Sequence, residues 1–171
     1  MNYKETFQEI ATEIKQTENL GQVANYIPEL ALADSSQFGI HLATVDNENF
    51  SFGAADTKFS IQSISKVFSL TLAFMLENDK LWDRVGVEPS GSSFNSLLQL
   101  EYEKGIPRNP LINAGALVIC DILVSQLRNP LQEILEFIRN LCGNRAIDFN
   151  PKVSNSEKNT GYANRAMINL I

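Results

Sequence analysis

The chain has 171 residues, enough for one domain that buries roughly 70% of its unfolded-chain surface. Fourteen Lys and Arg against twenty Asp and Glu leave a net charge of −6, which argues against a sequence-independent grip on nucleic acid. One His and two distant Cys, Cys120 and Cys142, leave a Cys/His zinc site without ligands, and a Ser-His-Asp triad would have to use His41.

Phe7, Ile10, Ala11 and Ile14 fall at helical spacing and predict an amphipathic first helix with Lys, Glu and Gln on its other face. From Phe38 to Val45 the period changes to two, with Phe38, Ile40 and Leu42 alternating with Gly39, His41 and Ala43, which predicts a strand. Asp46-Asn47-Glu48-Asn49 is turn chemistry, and Phe50 and Phe52 then share a face, so the pair reads as a β-hairpin with a structural His41. Residues 61–77 are apolar nearly all round, from Ile64 to Leu76, and predict a helix in the middle of a structure. A Pro-, Gly- and Ser-containing loop follows at Glu88–Ser93. Residues 113–127 carry Asp121 as their one charge and predict a second buried helix.

Asn129-Pro130 starts a third helix, with Asn129 as N-cap and Gln132 placed for a capping box; Gly143 sits at its expected stop. Its apolar stripe is Leu131, Ile134, Leu135, Ile138 and Leu141. Residues 154–171 read as a last helix running to the end of the chain. No repeat or low-complexity linker divides the sequence. It reads as a single domain over 1–171, or part of one, with a helix and hairpin over 1–60 and a mainly helical part over 61–171. A lone hairpin is a marginal sheet with two open edges, so the fold looks incomplete: further strands come from another chain or from a larger protein.

The sharpest chemical feature is Gln62-Ser63-Ile64-Ser65-Lys66. Residues three apart share a helix face, so Lys66 would stack over Ser63. A serine hydroxyl is a weak nucleophile until a base takes its proton, and a lysine in apolar surroundings holds its own proton less tightly and can be that base. The first turn of a helix also sets N–H groups and the positive end of the dipole beside a developing oxyanion. The bland alternative is an ordinary lysine that snorkels to water. Asn113, inside Pro107–Ala116, reads locally as an N-cap; the functional alternative is an amide that orients a polar ligand between two buried helices. Ser154 with Glu157 matches a capping box, while Glu157, Gly161 and Asn164 at i, i+4 and i+7 offer a carboxylate and an amide either side of a bare glycine, suited to a small zwitterion. Tyr26 reads as a packed aromatic in a Pro-containing turn. Lys158-Asn159-Thr160-Gly161 is only superficially like the Lys-Thr-Gly of penicillin-recognising enzymes.

Taken together, Ala24–Ala31, Gln62–Phe68, Glu88–Gly91 and Pro107–Ala116, with Ser154–Asn164, resemble the serine-dependent glutaminases from about Tyr26 onward. The resemblance implies an α+β, β-lactamase/transpeptidase-like fold: the N-terminal hairpin of an antiparallel sheet with a packed helical part. It implies hydrolysis of L-glutamine to L-glutamate and ammonia without metal or cofactor. Ser63 would be the nucleophile and Lys66 its general base; Tyr26, Ser63, Asn113, Glu157 and Asn164 would bind the substrate. It further implies a homo-oligomer, dimer or tetramer, once the fold is completed. The chain matches roughly the first half of such an enzyme, so impaired catalysis is expected of it alone. Two alternatives stay open: a non-catalytic truncated paralogue that binds glutamine or pairs with a full-length subunit, and another Ser-x-x-Lys acyl transferase. Reduced thiols, no signal peptide and no apolar run of membrane-spanning length lead to the expectation of a cytoplasmic protein without membrane or nucleic-acid partners.

Overall fold

The computed structural model describes residues 2–18 and 21–171. The chain divides into two compact units, 1–60 and 61–171.

In the first unit, α1 (Tyr3–Gln16) opens on Asn2, whose side chain accepts the Glu5 N–H. Phe7 and Ala11 of its apolar stripe are buried, while Ile10 and Ile14 remain exposed. After the short α2 (Pro28–Ala31) come β1 (Gly39–Ala43) and β2 (Asn49–Gly53), an antiparallel pair in the register Ile40↔Phe52, His41↔Ser51 and Leu42↔Phe50. The apolar pairs therefore share one half-buried face, and Tyr3 of α1 sets its ring 4.8 Å from that of Phe50. On the opposite face His41 Nδ1 meets Ser51 Oγ at 2.9 Å, a cross-strand pair that accounts for the one histidine structurally. Asn47, at φ 63°, supplies a left-handed residue in the turn expected over Asp46–Asn49.

In the second unit a 3-10 turn (Gln62–Ile64) runs directly into α3 (Ser65–Glu77), followed by a second 3-10 segment at Asn78–Asp83. Then come α4 (Leu97–Tyr102), α5 (Asn113–Gln126), α6 (Pro130–Cys142), α7 (Pro151–Thr160) and α8 (Tyr162–Ile168). The core lies between α3 and α5, where Ala73, Leu81, Val85, Val118, Ile119, Ile122 and Leu123 bury one another. Each large member contributes about 1.5–3 kcal/mol by leaving water. A smaller cluster of Leu100, Ala114 and Met167 ties α4 and α8 to the start of α5.

Three expectations need correction. Helix α3 is apolar all round but not buried all round: Ala73 is its one fully buried residue, and Val67, Phe74 and Met75 are exposed. Within the unit it contacts α5, α6 and the two flanking 3-10 segments, and these leave Val67, Phe74 and Met75 uncovered. In α6 the Asn129 N–H donates to Glu133, not to Gln132, and Gln132 instead reaches Glu136. Gly143 does end that helix, at φ 58°, where a left-handed residue lets its N–H and that of Asn144 reach the last turn. The final helix is two helices. Asn150, not Ser154, caps α7, accepting from the N–H groups of Lys152 and Val153, and Pro151 occupies the first position. The path then breaks at Gly161, whose ψ of 43° leaves the helical range. Arg165 of α8 donates to the Lys158 carbonyl at 2.6 Å, satisfying an acceptor that the break exposes.

Candidate functional site

Ser63 sits in the 3-10 turn that leads into α3, one turn ahead of Lys66. The step from Ser63 to Lys66 crosses from the 3-10 turn into the first turn of α3, so both lie on helical backbone, where a spacing of three residues favours one face. The Ser63 side chain is exposed to solvent, at the positive end of the α3 dipole. Gln62, immediately before it, adopts φ 46°. For a residue with a Cβ this costs about 1–2 kcal/mol, so the backbone strain of the unit includes the residue that aims the candidate nucleophile.

Lys66 is half-buried and does not snorkel. Its Nζ donates to the Leu111 carbonyl at 2.9 Å and to Asn113 Oδ1 at 2.8 Å, and it lies 5.9 Å from the centre of the Phe94 ring. Burial holds its pKa below the ordinary lysine value of 10.5. Both of its acceptors are neutral carbonyls, which orient the amine without adding the full charge of a carboxylate to hold its proton.

Asn113 is the first residue of α5, and Ile112 occupies the cap position. Its amide is therefore not spent on the helix end, contrary to the local reading. It accepts from Lys66 and donates through Nδ2 to Asn164 Oδ1 at 3.2 Å. Asn164 reaches it because α8 packs on α5. A continuous helix face shared with Glu157 does not bring it there, since the break at Gly161 separates α7 from α8. Glu157 is half-buried on α7. Tyr26 belongs to the first unit, in the loop before α2, with 57% of its surface exposed.

The backbone around Lys66 is tightly made. Asn109 and Pro110 approach α5 so closely that a Cβ on Gly115 would lie 1.9 Å from the Asn109 carbonyl oxygen, and glycine is the residue that permits this contact. Asn109 Oδ1 accepts from the N–H groups of Leu111 and Ile112 at 3.0 and 3.1 Å. The Asn113 N–H holds the Phe94 carbonyl at 2.8 Å, which fixes the residue whose ring faces the lysine. Neither the Leu111 carbonyl nor Phe94 stood out in the sequence. A backbone acceptor carries no residue signature, and Phe94 lies in a loop without periodicity. The Asn109-Pro110 pair was the readable signal, because Asn accepts from backbone two residues on. Among the described residues no three His, Cys, Asp or Glu side chains gather as a metal site, and no helix is long and apolar enough to cross a membrane.

The family model for glutaminases matches residues 21–171. A glutaminase of Christiangramia forsetii is 54% identical over 171 residues, and one of Saccharophagus degradans 53%. In both cases the match takes in the whole chain and 56% of the relative, so the chain spans about half the length of the curated relatives it matches. Among solved structures, the probable glutaminase ybaS superposes with a TM-score of 0.87 at 31% identity, over 99% of this chain and 56% of that one. A probable glutaminase from Bacillus subtilis, complexed with 6-diazo-5-oxo-L-norleucine, superposes with a TM-score of 0.70 at 35% identity, over 86% of this chain and 44% of that one.

Proposed function

The chain belongs to the glutaminase family, with its β-lactamase-like fold, and from that premise we propose that its second unit carries the Ser-Lys site of an amidohydrolase acting on L-glutamine. The observation that supports this most is the seat of Lys66, an amine held half-buried between two neutral carbonyls one turn from an exposed serine.

A neutral amine has two N–H bonds and one lone pair. With Leu111 and Asn113 taking the two N–H bonds, the lone pair is left for the Ser63 hydroxyl. The lowered pKa raises the fraction of Lys66 that is neutral and able to accept. In the acylation step Ser63 Oγ bonds to the side-chain carbonyl carbon of glutamine while its proton passes to Lys66 Nζ. The tetrahedral intermediate then collapses, the C–N bond breaks, and Lys66 returns the proton to the leaving nitrogen as ammonia departs. Water attacks the resulting glutamyl ester, again giving a proton to Lys66, and glutamate leaves as Ser63 recovers its hydrogen. The positive end of α3 favours the negative oxygen formed in both steps.

Recognition of the amino-acid end falls, within the second unit, to Glu157, whose carboxylate suits the ammonium, and to the amides of Asn113 and Asn164. Asn164 uses Oδ1 on Asn113, so its NH₂ group is the one suited to the substrate carboxylate. By the same reading 1–171 is one partial glutaminase domain, the protein is cytoplasmic, and the completed enzyme is a homo-oligomer. The test is ammonia release from L-glutamine by the purified chain and by its Ser63→Ala version, both shown folded by circular dichroism. Release that is lost on Ser63→Ala is expected; release that persists without the hydroxyl would overturn the assignment of the nucleophile.

A further inference from the structure

Lys66 depends on two acceptors, and they are held in different ways. Asn113 has an evident orienting partner: its Nδ2 donates to Asn164, which leaves Oδ1 turned toward the lysine. The Leu111 carbonyl is main chain, so its direction depends on the peptide planes of residues 109–112. Those planes converge on one side chain. Asn109 Oδ1 accepts from both the Leu111 and Ile112 N–H groups, and Asn109 Nδ2 donates to the Glu88 carbonyl at 2.8 Å. The segment that receives that bond is itself fastened, since the N–H groups of Gly86 and Glu88 donate to the carbonyls of Pro107 and Arg108 at 2.8 Å each. The Asn109 carbonyl, finally, lies against Gly115 of α5.

We propose that Asn109 is a positioning residue for the Ser63–Lys66 pair: its amide locks the Leu111 carbonyl in place, as Asn164 locks the amide of Asn113, so that the lysine lone pair has a single direction left. Asn109 touches neither the lysine nor, on this reading, the substrate. It acts through the direction of a carbonyl. The inference rests on Lys66 being the base of the proposed reaction, but it can be read without turnover. A lysine released from its seat reaches water, and the burial that depresses its titration is relieved.

The experiment follows acetylation of Lys66 by acetic anhydride across a pH series, read by mass spectrometry of the Lys66 peptide against the N-terminal amine. It is run on the whole chain and on its Asn109→Ala, Asn109→Leu and Asn109→Ser versions. Wild-type Lys66 is expected to titrate below an ordinary lysine. Asn109→Ala and Asn109→Leu should raise its midpoint toward the ordinary lysine value and, because the anhydride acylates only the free amine, slow labelling several-fold at neutral pH relative to the high-pH plateau. Asn109→Ser, which keeps an oxygen able to accept from the N–H two residues on, should recover most of the wild-type behaviour. Unchanged Lys66 titration in folded Asn109→Ala and Asn109→Leu, or an Asn109→Ser that behaves like them, would overturn the proposal. Loss of the folded state in both the Ala and Leu versions would overturn it too, by making Asn109 a purely structural residue. An ordinary titration of wild-type Lys66 would instead contradict the underlying assignment of the base, a separate and recognisable failure.

Discussion

Gly115 is where the fold and the site bear on each other most directly, and Gly115→Ala sets two effects of opposite sign against each other. Gly115 is the third residue of α5, and replacing a helical glycine by alanine stabilises an unhindered helix by at most about 0.5–1 kcal/mol through lost unfolded-state freedom. Here the new methyl would lie 1.9 Å from the Asn109 carbonyl oxygen and 2.8 Å from both the Asn109 carbonyl carbon and Pro110 Cα. The first of these falls about 1.5 Å short of an ordinary contact, and the atoms it meets are main chain. Overpacking typically destabilises by about 1–3 kcal/mol, and an overlap this deep with main chain belongs to the upper end, about 2–3 kcal/mol, so even against a helix gain of about 1 kcal/mol it leaves a net loss of about 1–2 kcal/mol. For a chain of this size that is a fall in melting temperature of roughly 2–8 °C. Thermal melts followed by circular dichroism measure it. The displaced segment carries the Leu111 carbonyl, so the Lys66 acetylation midpoint should rise in the same variant. A Gly115→Ala protein that melts at or above the wild-type temperature would refute the close approach and the seat built on it.

The burial of Lys66 has a consequence for stability against pH. Its folded pKa lies below its unfolded one, so between those two values the unfolded chain binds more protons and stability rises with pH; below both, the penalty for burying the ammonium is fully present. Urea unfolding at a series of pH values should show this rise in the wild type and a flatter profile in Lys66→Met, and parallel profiles would contradict it. Asn150→Ala removes the acceptor for the Lys152 and Val153 N–H groups and should cost about 1 kcal/mol. Ser154→Ala should be near neutral, because Ser154 lies inside α7 and not at its cap; urea midpoints compare the two.

Periodicity was enough to read α1, the hairpin and α6, because each has a face whose repeat matches its own geometry. The same signal misled at α3. An all-round apolar helix states that every side is to be covered, and the neighbours of α3 in its unit leave Val67, Phe74 and Met75 exposed. The split between α7 and α8 was hidden by a glycine at helical spacing, with Asn150-Pro151 the better start signal than Ser154. In the site, the helical setting of Ser63 and Lys66 was legible from sequence, the one in the 3-10 turn and the other in the first turn of α3. The Lys66 contacts with Leu111 and Asn113 span 45 and 47 residues of sequence, and no local pattern announces a pairing at that range. The link between Asn113 and Asn164 likewise depends on α8 packing against α5.

The most direct test of the central claim is to capture the covalent intermediate. The chain is mixed with L-glutamine, quenched in acid within a turnover, digested and analysed by mass spectrometry. A glutamyl ester is expected on Ser63, absent from Ser63→Ala and accumulating far less in Lys66→Met. An adduct on another residue, or a Ser63 ester formed equally well without the lysine amine, would contradict it.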